Sequence, residues 1–251
     1  MRAAERHIKI QELLESAEFV DSAVLRAHLG ASEPTIRRDL AMLERQSRLR
    51  RVRGGALAVR SRDDLADYSG LDARQRQEKD RIGAAAARLV EDGQTVILDG
   101  GSTTVAVARH FGDRRLQVIT NSLPIAHALS ESRGADVTLT GGHLDLRLGV
   151  MLGPLCEQML RSVAADVLIM GIGGITRAGL SNSNALVVGS ERAMIDVARH
   201  VVVVADHTKF GRQAMVPLAS LDAVDLVVSD GALAPEFRQL LDEAGVELLL
   251  A

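Results

Sequence analysis

Over residues 2–18 the apolar positions Ile10, Leu13, Leu14 and Ala17 recur at the i, i+3, i+4, i+7 spacing of one helical face, which predicts a first helix packed on a core. Asp21 and Ser22 are suited to cap a second, short helix carrying Val24, Leu25 and Leu29, and Gly30 can take the left-handed conformation that ends it. After a tight turn at Ala31, Ser32 can cap a third helix. Pro34 is tolerated in its first turn, where an amide has no intrahelical acceptor. On that helix Ile36, Leu40 and Leu43 share one face; Pro34, Arg38 and Arg45 lie opposite, with Thr35 and Arg37 on the flanks. Residues 49–57 then read as two short extended arms about Gly54-Gly55, a β-wing.

Residues 60–73 are polar and lack an apolar period, as expected of a linker between a small domain at 1–59 and a larger one at 74–251. A helix over 73–91 places Ile82, Ala85, Ala86 and Leu89 on one side. Past Gly93, apolar runs at 95–98, 117–120, 137–140, 167–171, 201–205 and 226–229 alternate with helical stretches. Short apolar strands separated by helices predict parallel pairing through crossover connections, hence an open, mostly parallel α/β sheet. The fold class is therefore α/β, a winged helix-turn-helix followed by a larger α/β domain.

Composition and charge sharpen this division. The chain has 251 residues and a net charge of −3, but residues 1–62 hold 13 Lys/Arg against 8 Asp/Glu, a net of +5, leaving −8 for the remainder. A basic head on an acidic body points to a polyanion at one end only. Aromatic residues make up 2% of the chain, with no Trp and Tyr68 as the one Tyr, which argues against stacking on bases or sugar rings. The lone Cys156 can form no internal disulfide and fits a reducing cytoplasm, where a core thiol is expected. The N-terminus starts with charged residues, and runs such as 201–205 are too short to span a bilayer, so no membrane partner is expected.

Three short helices with a sharp turn before the third match the helix-turn-helix plan, in which the third helix enters the major groove of double-stranded DNA. Ser32, Thr35, Arg37, Arg38 and Arg45 are its DNA-facing candidates. Arg38 is placed for guanine, whose O6 and N7 a guanidinium holds bidentately, while Arg37, Arg45 and the Ser32 end suit phosphates. Residues 48–62 carry six arginines and no acid, and Arg50, Arg51 and Arg53 of the wing can neutralise phosphates or reach into the minor groove. One such module reads only a few base pairs, so a homo-oligomer, dimer or tetramer, on repeated half-sites of an operator is expected.

The run Thr35-Ile36-Arg37-Arg38-Asp39-Leu40, then Leu43-Glu44 and Arg51-Val52-Arg53-Gly54-Gly55-Ala56, resembles the signature of DeoR-type transcriptional regulators. This chain has Arg53 and Ser47 where the family usually has His and Gly. The resemblance implies regulation of sugar or carbohydrate genes, most commonly repression relieved by ligand.

In open α/β sheets ligands bind at the C-terminal ends of the strands. There the chain places Asp99-Gly100-Gly101-Ser102-Thr103-Thr104, running into a helix whose N-terminus favours an anion such as phosphate. Further strand ends carry Thr120-Asn121-Ser122, Gly141-Gly142, Gly171-Ile172-Gly173-Gly174 and Asp206-His207-Thr208-Lys209. Lys209 can neutralise a phosphate and Asp206 can accept from sugar hydroxyls. Together these loops resemble the sensor domain of DeoR-type regulators, similar in fold to ribose-5-phosphate isomerase. The resemblance implies a phosphorylated sugar or polyol effector held by Asp99, Gly100, Gly101, Ser102, Thr103 and Thr104, by Thr120, Asn121 and Ser122, and by Gly141, Gly171, Gly173, Glu191, Asp206 and Lys209. An isomerase would need a positioned carboxylate base. Residues 171–175, the nearest loop to the isomerases' acidic one, have none, although Asp99, Glu191 and Asp206 remain available. The expectation is a regulator and not an enzyme. No catalytic residue, cofactor or metal is assigned, since His143, His207 and Cys156 form no ligand cluster by spacing.

Overall fold

The computed structural model describes residues 6–7, 9–10, 19–45, 49–52, 55–58 and 75–251, and the chain divides into two units, 1–64 and 65–251. In the first unit Arg6, His7, Lys9 and Ile10 are helical. Leu13, Leu14 and Ala17 of the expected first helix lie outside the described residues, as do Ser47, Arg53, Gly54 and the linker 60–73. The elements that follow are β1 (Phe19–Asp21), α1 (Ser22–Leu29), α2 (Glu33–Arg45), β2 (Leu49–Val52) and β3 (Gly55–Ala58).

Gly30 ends α1 at φ 58°, and the Ser32 carbonyl accepts the Thr35 and Ile36 amides, both at 3.0 Å, to start α2. The wing pairs antiparallel, Arg51 opposite Ala56, and β1 adds to its other side in the order β1-β3-β2. The strand β1 was not expected; its last residue, Asp21, also stands immediately before α1, the cap position the sequence gives it. Phe19-Val20 is too short to show a period, and its extended form comes from pairing with residues far along the chain. Ile10, Val20, Leu25, Leu29, Ile36, Leu40, Leu43, Leu49 and Ala56 close the core, so the inner face expected of α2 is the buried one.

The second unit runs α3 (Arg76–Ala87), β4 (Thr95–Leu98), α4 (Ser102–Arg109), β5 (Leu116–Thr120), α5 (Leu123–Ala128), β6 (Ala135–Leu139), β7 (His143–Asp145), β8 (Val150–Leu152) and α6 (Pro154–Arg161). It continues with β9 (Ala165–Met170), β10 (Gly174–Thr176), β11 (Gly179–Asn182), α7 (Ala185–Val197), β12 (Ala198–Val204), β13 (Val216–Ala219), β14 (Leu226–Ser229), α8 (Pro235–Glu243) and β15 (Glu247–Leu250). Seven strands form one sheet, β15-β14-β12-β9-β4-β5-β6, and every neighbouring pair in it is parallel.

Alternate residues of the inner strands enter opposite cores. Ile97, Ile119, Leu168, Met170, Val201 and Val203 pack with Leu160, Val188, Met194 and Leu241 from α6, α7 and α8. Val96, Leu98, Val118, Ile169, Val202 and Val204 pack with Ile82, Val105, Val107 and Ile125 from α3, α4 and α5. Burial on both faces explains why these strands read as unbroken apolar runs. The helix expected at 73–91 spans only Arg76–Ala87; Gln75 is left-handed before it, and Arg88, Leu89 and Val90 leave it through bonds three residues back. Two small sheets, β7-β8 and β10-β11-β13, were not expected, nor was the edge strand β15.

Candidate DNA-binding helix and sensor site

On α2 the side chains of Arg37 and Arg38 are exposed, as is Ser32 just before the helix, while Thr35 is half-buried and shares a 2.8 Å hydroxyl contact with Ser32. Arg37 makes only a loose 3.9 Å pair with Glu33 one turn earlier, so little holds its guanidinium back from another anion. Arg51 on β2 is exposed, and its amide donates to the Glu44 carboxylate at 2.9 Å, which ties the wing to α2. The side chains of Arg45 and Arg50 lie outside the described residues, as does the whole of Arg53.

The aspartate inside the Thr35–Leu40 motif has no role assigned by the sequence. Asp39 is buried and accepts from Arg6 Nε at 2.7 Å and Nη2 at 3.1 Å, with His7 Nε2 at 2.9 Å. Burial opposes its ionisation, but the hydrogen bonds and charges of Arg6 and His7 outweigh that and hold the carboxyl below its ordinary value. Asp39 thus ties α2 to the segment containing Arg6 and His7. Its place beside Ile36, Leu40 and Leu43 on the inner face was the available signal.

In the second unit the loops expected to bind a ligand follow β4, β5, β6, β9 and β12, five strands adjacent in the sheet. Strand order reverses between β4 and β9, where open sheets of this kind form their crevice. The first loop leads into α4, whose opening amides at Ser102, Thr103 and Thr104 have no intrahelical acceptor. The Thr104 hydroxyl donates to the Gly101 carbonyl at 2.8 Å and fixes this turn. Behind it α3 crosses closely: a Cβ on Gly83 would stand 2.7 Å from the Ala106 carbonyl carbon. In front, a Cβ on Gly100 would stand 2.2 Å from Val150 Cγ1, so glycine is what lets the β7–β8 hairpin rest on the loop. That hairpin is pinned to the second loop by Met151 N–H donating to the Asn121 carbonyl at 2.7 Å.

Not every expected residue faces the crevice. The Thr120 hydroxyl donates to the Leu98 carbonyl at 2.7 Å, and Ser122 Oγ caps α5 through the Ile125 amide at 3.4 Å; both are committed to holding the loop. Gly141 is left-handed at φ 70°, with open space where a side chain would go, and Gly171 is equally open. Gly173 instead lies against Asn182, 3.0 Å from its Oδ1 for a would-be Cβ. Asp206 caps the turn His207–Lys209 by accepting from the Thr208 amide at 3.0 Å and from the Thr208 hydroxyl. His207 Nδ1 contacts the buried Asp230 carboxylate at 3.0 Å, and Lys209 is half-buried without an ion pair among the described residues.

Asp99, Asn121 and Glu191 are brought together. Asp99 is pushed up to about 7 by burial, against the Gly100 amide and Asn121 side chain that favour its charge. Glu191 lies well above its ordinary value, first because it is buried and then because of the charge on Asp99. At neutral pH the two do not carry two full charges. Asn182 was missed: its Nδ2 donates to Glu191 Oε1 at 2.6 Å. The polar run Ser181-Asn182-Ser183-Asn184 before α7 was the signal, and Asn184 caps that helix. Among the described residues, no group of three His, Cys, Asp or Glu is placed to hold a metal, and no helix is long and apolar enough to cross a membrane.

Comparison with known proteins matches the chain to named domains. Residues 6–62 match the DeoR-like helix-turn-helix domain and residues 74–231 the DeoR C terminal sensor domain. The chain is 34% identical over 250 residues to the HTH-type transcriptional repressor GlcR of Bacillus subtilis (strain 168), covering 100% of this chain and 97% of that one. It is also 34% identical over 252 residues to the Glycerol-3-phosphate regulon repressor of Escherichia coli (strain K12), covering 100% of each. Among solved structures, ribose 5-phosphate isomerase A of Methanocaldococcus jannaschii is 17% identical with a TM-score of 0.41, over 54% of this chain and 55% of that one. With both domains in order and full-length relatives that are repressors, the chain belongs to the DeoR family of DNA-binding transcriptional regulators and is not an enzyme.

Proposed function

We propose that this protein represses genes of sugar or polyol metabolism in the cytoplasm, and that a phosphorylated sugar or polyol bound at the strand ends of the second unit releases it from its operator. The observation that carries this reading is the convergence at the β4/β9 reversal of free helix-start amides at Ser102–Thr104, the Asp99–Asn121–Glu191 cluster and, two strands' width away, Lys209. Amides and an ammonium suit a phosphoryl group; carboxylate and amide oxygens suit hydroxyls. Ser32, Thr35, Arg37, Arg38 and Arg45 of the helix-turn-helix, with Arg50, Arg51 and Arg53 of the wing, form the DNA-facing set. Arg38 reads a guanine and the others hold phosphates. The protein acts as a homo-oligomer on repeated half-sites, and the effector shifts DNA affinity by its differential affinity for the two states.

The test is binding of the purified chain to its own upstream DNA across a salt series, with and without a panel of sugar and polyol phosphates. Sequence-selective, salt-sensitive binding released by one phosphorylated compound is the expected result. Selective binding that no compound relieves removes the phosphorylated effector from the reading.

A further inference from the structure

Three acids stand on α2, and two of them hold the fold. Asp39 is buried beneath Arg6 and His7, and Glu44 accepts the Arg51 amide at 2.9 Å. Glu33 does neither. It is the first residue of the helix, with its side chain 60% exposed. Its Oε2 accepts from Arg26 Nη1 on α1 at 3.3 Å, and among the described residues its Oε1 has only the 3.9 Å approach of Arg37. Ion pairs between exposed side chains contribute little to folding, so neither accounts for the acid. The helix dipole favours an acid in a first turn, and that effect is the same whatever DNA sequence is bound.

Against DNA the same carboxylate is costly unless it is answered, because the phosphates repel it. The N-terminal residues of a helix in the major groove meet base edges, and there the cytosine N4 amino group is a donor from which a carboxylate accepts. Guanine presents the acceptors O6 and N7, and in adenine the amino group lies beside the acceptor N7, so both repel a carboxylate. Arg26 engages Oε2 from the neighbouring helix, which leaves Oε1 as the accepting atom. We propose that Glu33 is a specificity-determining residue that reads a cytosine through its N4 amino group. This rests on the reading of α2 as the DNA-facing helix and adds a second base to the guanine assigned to Arg38.

The full chain is used to select duplexes from a random pool, and anisotropy then measures every single-base-pair replacement of the selected site. Expected is a C·G pair in each half-site whose replacement costs the natural protein about fivefold or more in affinity. In Glu33→Ala all four pairs at that position should bind within about twofold of one another, with preferences elsewhere kept. In Glu33→Gln the preference should move to an A·T pair, since a carboxamide donates to adenine N7 and accepts from its N6 amino group. Unchanged preferences at every position in Glu33→Ala overturn the proposal. So does a uniform change on selected and random DNA alike, the mark of an acid acting through the helix dipole or overall charge. Melting of the first unit shows whether Glu33→Ala folds; if it does not, the similarly sized Glu33→Gln decides, an unmoved preference again overturning the assignment. If the natural chain selects no motif, the DNA-facing reading of α2 fails and this assignment with it. A motif that neither variant alters removes the cytosine contact alone.

Discussion

Asp39 in the first unit and Asp99 in the second are both almost fully buried aspartates, at 6% and 3% exposed, and their carboxyls are driven in opposite directions. Burial penalises charge at both. At Asp39 the guanidinium of Arg6 and the ring of His7 outweigh the penalty, and the result is a satisfied tie between two helical segments. At Asp99 the facing groups are the Gly100 amide, the Asn121 side chain and a second acid, Glu191, so the penalty prevails. The same residue type is a fastening where its charge is answered and a site where it is not.

The comparison breaks most readily with pH. For Asp99, whose folded value is raised, stabilisation is full below its ordinary value of 3.8 and is lost as pH climbs to about 7. For Asp39, whose value is lowered, stabilisation is present above 3.8 and lost as pH falls through the depressed value. The ligand-free second unit should therefore gain stability relative to its Asp99→Asn variant as pH is lowered from 7 towards 4, by at most about 4 kcal/mol. Calorimetric melts of the two proteins between pH 4 and 8 measure it; parallel curves would place Asp99 in ordinary solvent.

Next in size, Asp39→Ala should destabilise the first unit by about 3 kcal/mol, because a buried pair loses one partner. The melting transition of the second unit should stay in place while operator binding is lost. An unaltered first transition would mean that the Arg6–Asp39 pair contributes nothing.

Single substitutions at the proposed binding residues sharpen the contrast further. Arg38→Ala should cost about 1–3 kcal/mol of operator affinity, measured by fluorescence anisotropy, and relax preference at one base pair while leaving effector binding intact. Lys209→Ala should shift the effector dose response by roughly tenfold with DNA affinity unchanged. If each substitution altered the other function instead, the assignment of roles to the two units would be wrong.

What was legible in the chain follows the same division. The exposed face of α2 showed because Ile36, Leu40 and Leu43 bury one side and leave Arg37 and Arg38 outside, a local period that burial enforces. The inner strands β4, β5, β9, β12 and β14 of the large sheet showed because each is covered on both faces. The hairpin β7–β8 and the strands β1, β10, β11 and β13 are three or four residues long and owe their form to distant partners, so no period announced them. Asp99, Asn121 and Glu191 were identified from motif resemblance, whereas the Asn182 side chain that donates to Glu191 carried no such motif. Thr120, Ser122 and Asp206 stand at strand ends with their side chains bonded to backbone groups, because a loop of this kind must also hold its own backbone.

Arg37→Ala carries the smallest expected effect and isolates the outward-facing charge. The side chain is 74% exposed and its pair with Glu33 spans 3.9 Å, so folding stability should change by less than about 0.5 kcal/mol. Its proposed role on a phosphate is sequence-independent, hence specific and non-specific DNA should both be weakened. The slope of log affinity against log salt should fall by about one for each phosphate no longer neutralised. A loss confined to the specific operator with the slope unchanged would move Arg37 from the phosphates to a base edge. It would then share with Arg38 the reading that the helical period assigns to the outer face.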